Sequence, residues 1–495
     1  MGATEARSEV VMKALGIGKK EWLALLIAVL MLLGLYKYFG NVDGTATTAI
    51  LFCGFVFSIF LALERTFVFY LLLVFLIPLS IDVGLGYGAQ VNSPSELMLL
   101  MLLLVLMLFH KEYSIALRRT SIHPIAIFLA LDIFWQLIVT LTSSHPDISF
   151  KRWIIHTIFI VGFFTTITML KDPKRLFKVW MAYMIGLLPV MWFTFENFRM
   201  YEFDPRTVFV ISKPFFPDHT VYGACIAFII PLLILCCIHW KKLNWKRWQI
   251  TALFLITIVA IASEFIALSR AAILSLGVAL IFALLLHWKM RFRSLLIGLV
   301  GIGIVVFSMQ DQIYEYFEET DAVSNDGQVS NHLSSVTNIQ TDASNLERVN
   351  RWVCAARMFE DRPFLGYGPG TYQFEYNKFQ TTEFKTHISS NKGEKGNAHS
   401  EYLTYLSEKG IFGGVIFLLI VFGAIFYGMK NHQVLEDPLL RILNLGILLG
   451  LTTYFFHGIF NSFMDQSKMA FLYFTGLGTL VWLSKNVQKS KQKPA

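Results

Sequence analysis

Apolar segments about the length of a membrane-crossing helix follow one another almost from end to end of this chain, and no other feature constrains its fold so strongly. A spanning helix needs about 20 mostly apolar residues. Fourteen candidate segments can be marked between residues 22 and 484, the second and third parted only by Glu64-Arg65. Backbone polar groups in hydrocarbon must be satisfied within their own segment, so these segments are helices. The expectation is an all-α polytopic membrane protein of about 12–14 transmembrane helices with one long, partly helical extracytoplasmic loop. Composition agrees, with 55% of 495 residues hydrophobic and only 15% charged. The polar opening MGATEARSEVVMKALGIGKK ends in lysines, which makes the first apolar segment a retained anchor and not a cleaved signal.

The net charge of +8 would suit a polyanionic partner if it were spread over one face, but its distribution reports topology. HKEYSIALRR (110–119), KDPKR (171–175), HWKKLNWKRW (239–248), HWKMRFR (287–293) and the tail KNVQKSKQK are basic and fall on one side of the membrane. The connections between them, the long 310–398 passage above all, carry more acids than bases or little charge. Basic connections stay in the cytoplasm. Both termini are then cytoplasmic, the loops 80–96, 142–150, 196–220 and 310–398 lie outside, and no nucleic-acid partner is implied. Of five cysteines only Cys354 lies in the large loop, so neither a disulfide framework nor a zinc set is available there.

Three regions result: a bundle of about 11 spans over 1–309, a large extracytoplasmic loop over 310–410, and C-terminal spans with a basic cytoplasmic tail over 411–495. Within the loop, residues 311–345 are acidic and rich in Ser, Asn and Asp, a composition that does not bury a core. Ser344-x-x-Glu347 then reads as a capping box, and Leu346, Val349, Trp352, Val353 and Ala356 recur at helical spacing. A helix over 345–360 follows, stopped by Pro363, with Arg348 and Arg351 three apart on one face. Residues 399–429 as one straight helix would span about 45 Å, beyond the roughly 30 Å hydrocarbon core. Gly410, Gly413 and Gly414 offer a break, leaving 398–409 as a short surface helix with Tyr402 and Tyr405 at the interface.

Few residues are placed to do chemistry. His399, where the chain turns back toward lipid, is either a helix-start histidine bonded to backbone, the reading that position alone favours, or a neutral imidazole able to accept a hydroxyl proton. Arg270, at the lip of the hairpin SEFIALSRA, either pairs with Glu264 or binds a phosphate through its guanidinium fork. Arg348, Arg351 and Arg152, with His219, could add to the same anion site, although each taken singly suits an ordinary surface pair. Asp132 lies mid-span, where a hydrogen bond between helices is the simpler reading of a carboxylate. GYGPG (366–370) lacks the Lys-Ser/Thr of a P-loop and reads as a rigid turn. Glu315, Glu318, Glu319 and Asp321 form a solvated acidic run, so no metal site is expected.

Taken together, Ser269-Arg270-Ala271, the set Arg348, Trp352, Ala356, Pro363, Gly366 and Gly368, and Ala398-His399-Ser400 followed by Tyr402, Leu403, Leu406, Glu408, Gly410 and Gly413 give the chain a resemblance over about 250–430. It resembles the O-antigen ligase and polymerase superfamily of membrane glycosyltransferases. The resemblance implies a metal-independent, inverting transfer from an undecaprenyl-diphosphate-linked glycan donor, with no cofactor, to a glycan or lipid A core acceptor. The place would be the outer face of the bacterial cytoplasmic membrane. It also implies His399 as the base and Arg270 and Arg348 as diphosphate-binding cations, with Arg351 a weaker transfer. The family often has Asn where this chain has Ser400. A transporter or a noncatalytic component of an envelope-glycan assembly complex are the readings from other classes.

Overall fold

The computed structural model describes residues 56, 58–86, 89–109, 118, 122–168, 170, 172–243, 245–308, 343–381 and 396–491. The first apolar segment, most of the second, the acidic run at 315–321 and the stretch 382–395 lie outside them. Among the described residues eight helices are long and apolar enough to cross a bilayer, and three shorter apolar helices accompany them. The chain is an all-α polytopic membrane protein.

The chain divides into two units, residues 1–120 with 161–217 and residues 121–160 with 218–495. In the first, α1 (Thr66–Leu76) is followed by a hairpin, β1 (Ile81–Gly86) and β2 (Ala89–Ser93), then α2 (Ser95–Phe109) and α5 (Pro173–Met200). The hairpin is antiparallel, with Ile81 opposite Ser93 and Val83 opposite Val91. It stands where the sequence indicates only an irregular loop. Gly186 lets α5 approach α1's end closely, because a Cβ there would lie 2.1 Å from the Phe75 carbonyl oxygen.

The second unit contains α3 (Pro124–Leu141), α4 (Pro146–Phe159), α6 (His219–Ile238), α7 (Arg247–Ile266), α8 (Arg270–His287), α9 (Phe292–Ser308), α10 (Ala343–Asp361), α11 (Glu401–Val434), α12 (Pro438–His457) and α13 (Ser467–Lys491). Helix α6 is its axis, with every residue from Val221 to Leu233 buried. Helix α12 packs on α6 through Gly446 and Gly450, four apart. A Cβ on Gly450 would sit 2.4 Å from the Phe228 carbonyl oxygen, so the two backbones meet almost directly. Helix starts are capped by side-chain oxygens, Asp218 for α6 and Asp437 for α12, which satisfy amides that have no partner within the helix.

Helix α10 runs close to the bounds its periodicity predicts. Helix α11 breaks at Gly410, whose φ of 66° and ψ of −171° are non-helical. The short segment before the break is not at a surface, however. Glu401, Tyr405, Ser407, Glu408 and Lys409 are all buried. Helical spacing shows that one face is covered but not by what, and here protein covers it.

Candidate active site

The kink in α11 and the turn after α10 are built as one object. Breaking a helix strands carbonyls, and the loop fills them: the amide of Tyr367 donates to the Ser407 oxygen (3.1 Å) and that of Gly368 to the Glu408 oxygen (2.8 Å). The amide of Ile411 returns a bond to the Pro363 oxygen at 2.8 Å. The buried Glu408 carboxylate accepts from the amides of Gly370 (2.9 Å) and Tyr372 (3.0 Å). Gly366 and Gly410 both have φ of +66°, and a Cβ on Gly410 would lie 2.1 Å from the Phe364 oxygen. Only glycine permits that crossing. GYGPG is therefore a clamp on the helix that carries the sequence Ala398-His399-Ser400 at its start. A small core of Cys354, Ala355, Met358, Tyr367, Tyr372, Tyr376 and Ala398 fills the space beneath it. Burial pushes the Cys354 thiol up to about 12, so it is inert.

His399 sits at the end of this construction with φ of 47°, in the left-handed region that non-glycine residues seldom occupy. Three hydrogen bonds hold its backbone environment: its amide donates to Asn397 Oδ1 (3.0 Å), Trp352 Nε1 donates to its carbonyl (3.2 Å), and Asn397 Nδ2 donates to the Ser462 oxygen (2.9 Å). Ser400 then caps α11, and Glu401 behind it is buried, accepting from Tyr454 Oη (2.6 Å) and the amides of Phe463 (2.6 Å) and Met464 (2.8 Å). The half-buried imidazole is pushed down to about 4 by burial, then by the charges of Arg351 and Arg348, against a hydrogen bond with the Asn461 side chain and the charge of Asp218. It is a neutral proton acceptor throughout the physiological range.

The arginines divide. Arg351 is buried and spent on structure: Nε bonds Glu347 at 2.7 Å, Nη1 donates to the Asn397 oxygen at 3.1 Å, and the guanidinium lies over the Tyr376 ring. A Cβ on Gly396 would touch Nη1 at 1.9 Å, so the segment leading to His399 is laid directly on this arginine. Arg348 is half-buried, and its charge together with that of Asp218 acts on three histidines, His219, His399 and His457. Arg270 is exposed at the start of α8. Glu264, one of the two partners the sequence allows it, has neither carboxyl oxygen hydrogen-bonded among the described residues. His219 Nδ1 meets the Ala267 carbonyl at 2.7 Å and Gly223 packs on Ala267, Ser269 and Ala272, so α6 fixes the hairpin that presents Arg270. Arg152 reaches Asp465 at 3.0 Å and lies against Gly370.

The structure thus gathers His399, Arg348, Arg351 and His219 at one end of the second unit. His457, at the end of α12, joins them, its ring within reach of the Arg348 and Asp218 charges. Residues 255–418 match the family model described as O-antigen ligase. That stretch runs from α7 to the first half of α11 and contains Arg270, Arg348, Arg351 and His399. That match supports the resemblance of this stretch to the O-antigen ligase and polymerase superfamily. No curated protein matches it. The superfamily match leaves out His219, Arg152, His457 and Asn461. Asp132, the mid-span carboxylate, lies elsewhere in the second unit and serves structure: Oδ2 meets His156 Nε2 at 2.7 Å and accepts from Gln136 at 2.8 Å, joining α3 to α4. The sequence signal for His457 and Asn461 is slight, a polar HGIFNSFMD turn between two spans, which any connection can resemble.

Proposed function

We propose that this protein transfers or polymerises an undecaprenyl-diphosphate-linked glycan at the outer face of the bacterial cytoplasmic membrane, with both its termini cytoplasmic. An acceptor hydroxyl on a glycan or on lipid A core attacks the anomeric carbon of the donor, and His399 takes the hydroxyl proton. The bond to the diphosphate breaks with its electron pair on the leaving oxygen, and the configuration inverts. The leaving lipid diphosphate is a weak base, so its departure calls for positive charge and not for an acid. Arg348 and Arg270 supply that charge without a metal ion, while Arg351 and His219 hold the segments that present His399 and Arg270.

One observation carries this reading: His399 is a neutral imidazole pinned in left-handed backbone within electrostatic reach of Arg348. Strained backbone held by several hydrogen bonds is characteristic of functional sites. An imidazole pushed down to about 4 is a poor base, and general bases work best with a pKa near the operating pH. The donor corrects this. A diphosphate on Arg348 cancels one of the charges that depress His399 and brings negative charge close, raising the proton affinity of the ring when substrate arrives.

The test is incubation of purified wild-type and His399→Ala protein with an undecaprenyl-diphosphate glycan, with and without chelator, following chain growth and release of lipid diphosphate. Wild type active despite chelator beside an inactive variant is the expected result. A variant that keeps the wild-type rate removes His399 from the chemistry, and loss of wild-type activity in chelator removes the metal-free transfer.

A further inference from the structure

The turn that leads from α10 into the clamp runs lengthwise beside the last part of α3, and that helix measures its depth. At one end the amide of Ser144, just past the last residue of α3, donates to the Tyr367 oxygen (3.0 Å). At the other end Trp135 Nε1 donates to the Lys409 oxygen (2.8 Å), and two residues on the Ile411 amide donates to the Pro363 oxygen (2.8 Å). Trp135 stands six residues before Leu141, about 9 Å along the helix. The 18 residues of α3 rise about 27 Å, close to the roughly 30 Å of a hydrocarbon core. The tip of the turn, residues 363–365, therefore lies below the membrane surface.

Its side chains suit that depth. Phe364 is 65% exposed and Leu365 36%, beside Phe412, 51% exposed, whose ring meets Trp135 edge-on at 5.1 Å. Irregular backbone at membrane depth persists where protein satisfies its polar groups. Here Ile411 bonds the Pro363 oxygen, Gly366 donates to the Arg362 oxygen (3.0 Å), and Tyr367 donates to the oxygen of Ser407. Arg362 does not oppose the placement: its guanidinium lies 4.4 Å over the Tyr367 ring, back toward the Ser144 end and water. We propose that this tip is a membrane wedge. Phe364 and Leu365 lie among the acyl chains of the adjacent leaflet, the outer one in the proposed topology, and so set the depth at which the clamp holds α11. The wedge does not depend on the role given to His399.

The test places a genetically encoded fluorescent amino acid at position 364 of the full chain and, in a second protein, at position 365, so that the measurement survives if one label disturbs folding. Two controls carry the same label, one at the exposed Lys378 for water and one at Leu418, exposed on the spanning part of α11, for lipid. Each protein is reconstituted in phosphatidylcholine vesicles, with lipids brominated in their acyl chains as one quencher and iodide in the buffer as the other. Labels at 364 and 365 should lose most of their emission to brominated lipid and little to iodide, as at 418, while the label at 378 behaves the opposite way. Iodide quenching at 364 and 365 as strong as at 378 overturns the wedge. Shielding from both quenchers overturns it too, because protein and not lipid would then cover the tip.

Discussion

Two polar clusters in the second unit each contain a histidine, and they treat it in opposite ways. Within the spans, His156 meets Asp132 at 2.7 Å, Asp132 accepts from Gln136, and the Lys409 ammonium sits 3.4 Å over the Tyr405 ring. At the helix ends, His399 has its backbone fixed by two bonds, while both ring nitrogens of His457 and Nδ2 of Asn461 are buried with no hydrogen-bond partner among the described residues. The mid-span network joins α3 to α4 through Asp132 Oδ2 and leaves Oδ1 as the one atom of that carboxylate without a hydrogen-bond partner among the described residues. A rigid cluster with buried hydrogen-bonding capacity left over is costly to the fold, at about 1–3 kcal/mol for each unmet group, and a chain retains that cost where the site has work to do.

The comparison breaks first at His399. Replacing it with Asn keeps a residue that tolerates left-handed backbone but cannot accept the proton. His399→Asn should lower transfer by about 10²–10⁴-fold, the range of a lost general base, with unchanged thermal unfolding in detergent. Transfer within a few-fold of wild type would place His399 among the merely structural histidines with His156. Arg348→Ala should come next, lowering kcat about 100-fold as one cation is withdrawn from the leaving diphosphate. Arg351→Ala should instead lower stability, since Glu347 and the Asn397 carbonyl lose their buried partner. The reverse pattern, with Arg351→Ala stable and inactive, would exchange the two assignments.

His156 supplies the control. His156→Ala leaves the buried Asp132 carboxylate short of one partner and should cost about 1–3 kcal/mol of stability, read as a lower Tm in detergent, while the folded protein transfers glycan at close to the wild-type rate. If activity falls and stability holds, the mid-span cluster takes part in the reaction and the contrast between the clusters fails.

Much of this was legible from residues alone, for identifiable reasons. Helix α10 follows from helical spacing stopped by Pro363, and the break in α11 follows from its length and Gly410. What spacing cannot report is the partner across a gap. Nothing near Gly366 announces that its loop will satisfy the carbonyls of Ser407 and Glu408, because those bonds are between backbones 40 residues apart. Tyr405 looks interfacial by pattern and is buried, since a face covered by protein and a face covered by lipid have the same periodicity. Arg348 and Arg351 share a helix face in the sequence, yet Glu347 sits one turn before Arg351 and engages it.

The finest distinction concerns when His399 becomes a base. The acid limb of kcat/KM reports the free enzyme and that of kcat the substrate complex. In the free enzyme burial and the two arginine charges set the imidazole at about 4, so kcat/KM should fall only below about pH 4. With the diphosphate on Arg348 the ring binds its proton more tightly. The limb of kcat should then lie higher, by about one pH unit if one depressing charge is cancelled and an anion gained. Arg348→Ala gives the sign check: removing that cation should raise the free-enzyme limb and narrow the gap between the two profiles. Coincident limbs in wild type would mean that the diphosphate does not sit where Arg348 and His399 share it, and Arg270 would then be left to hold the leaving group away from the base.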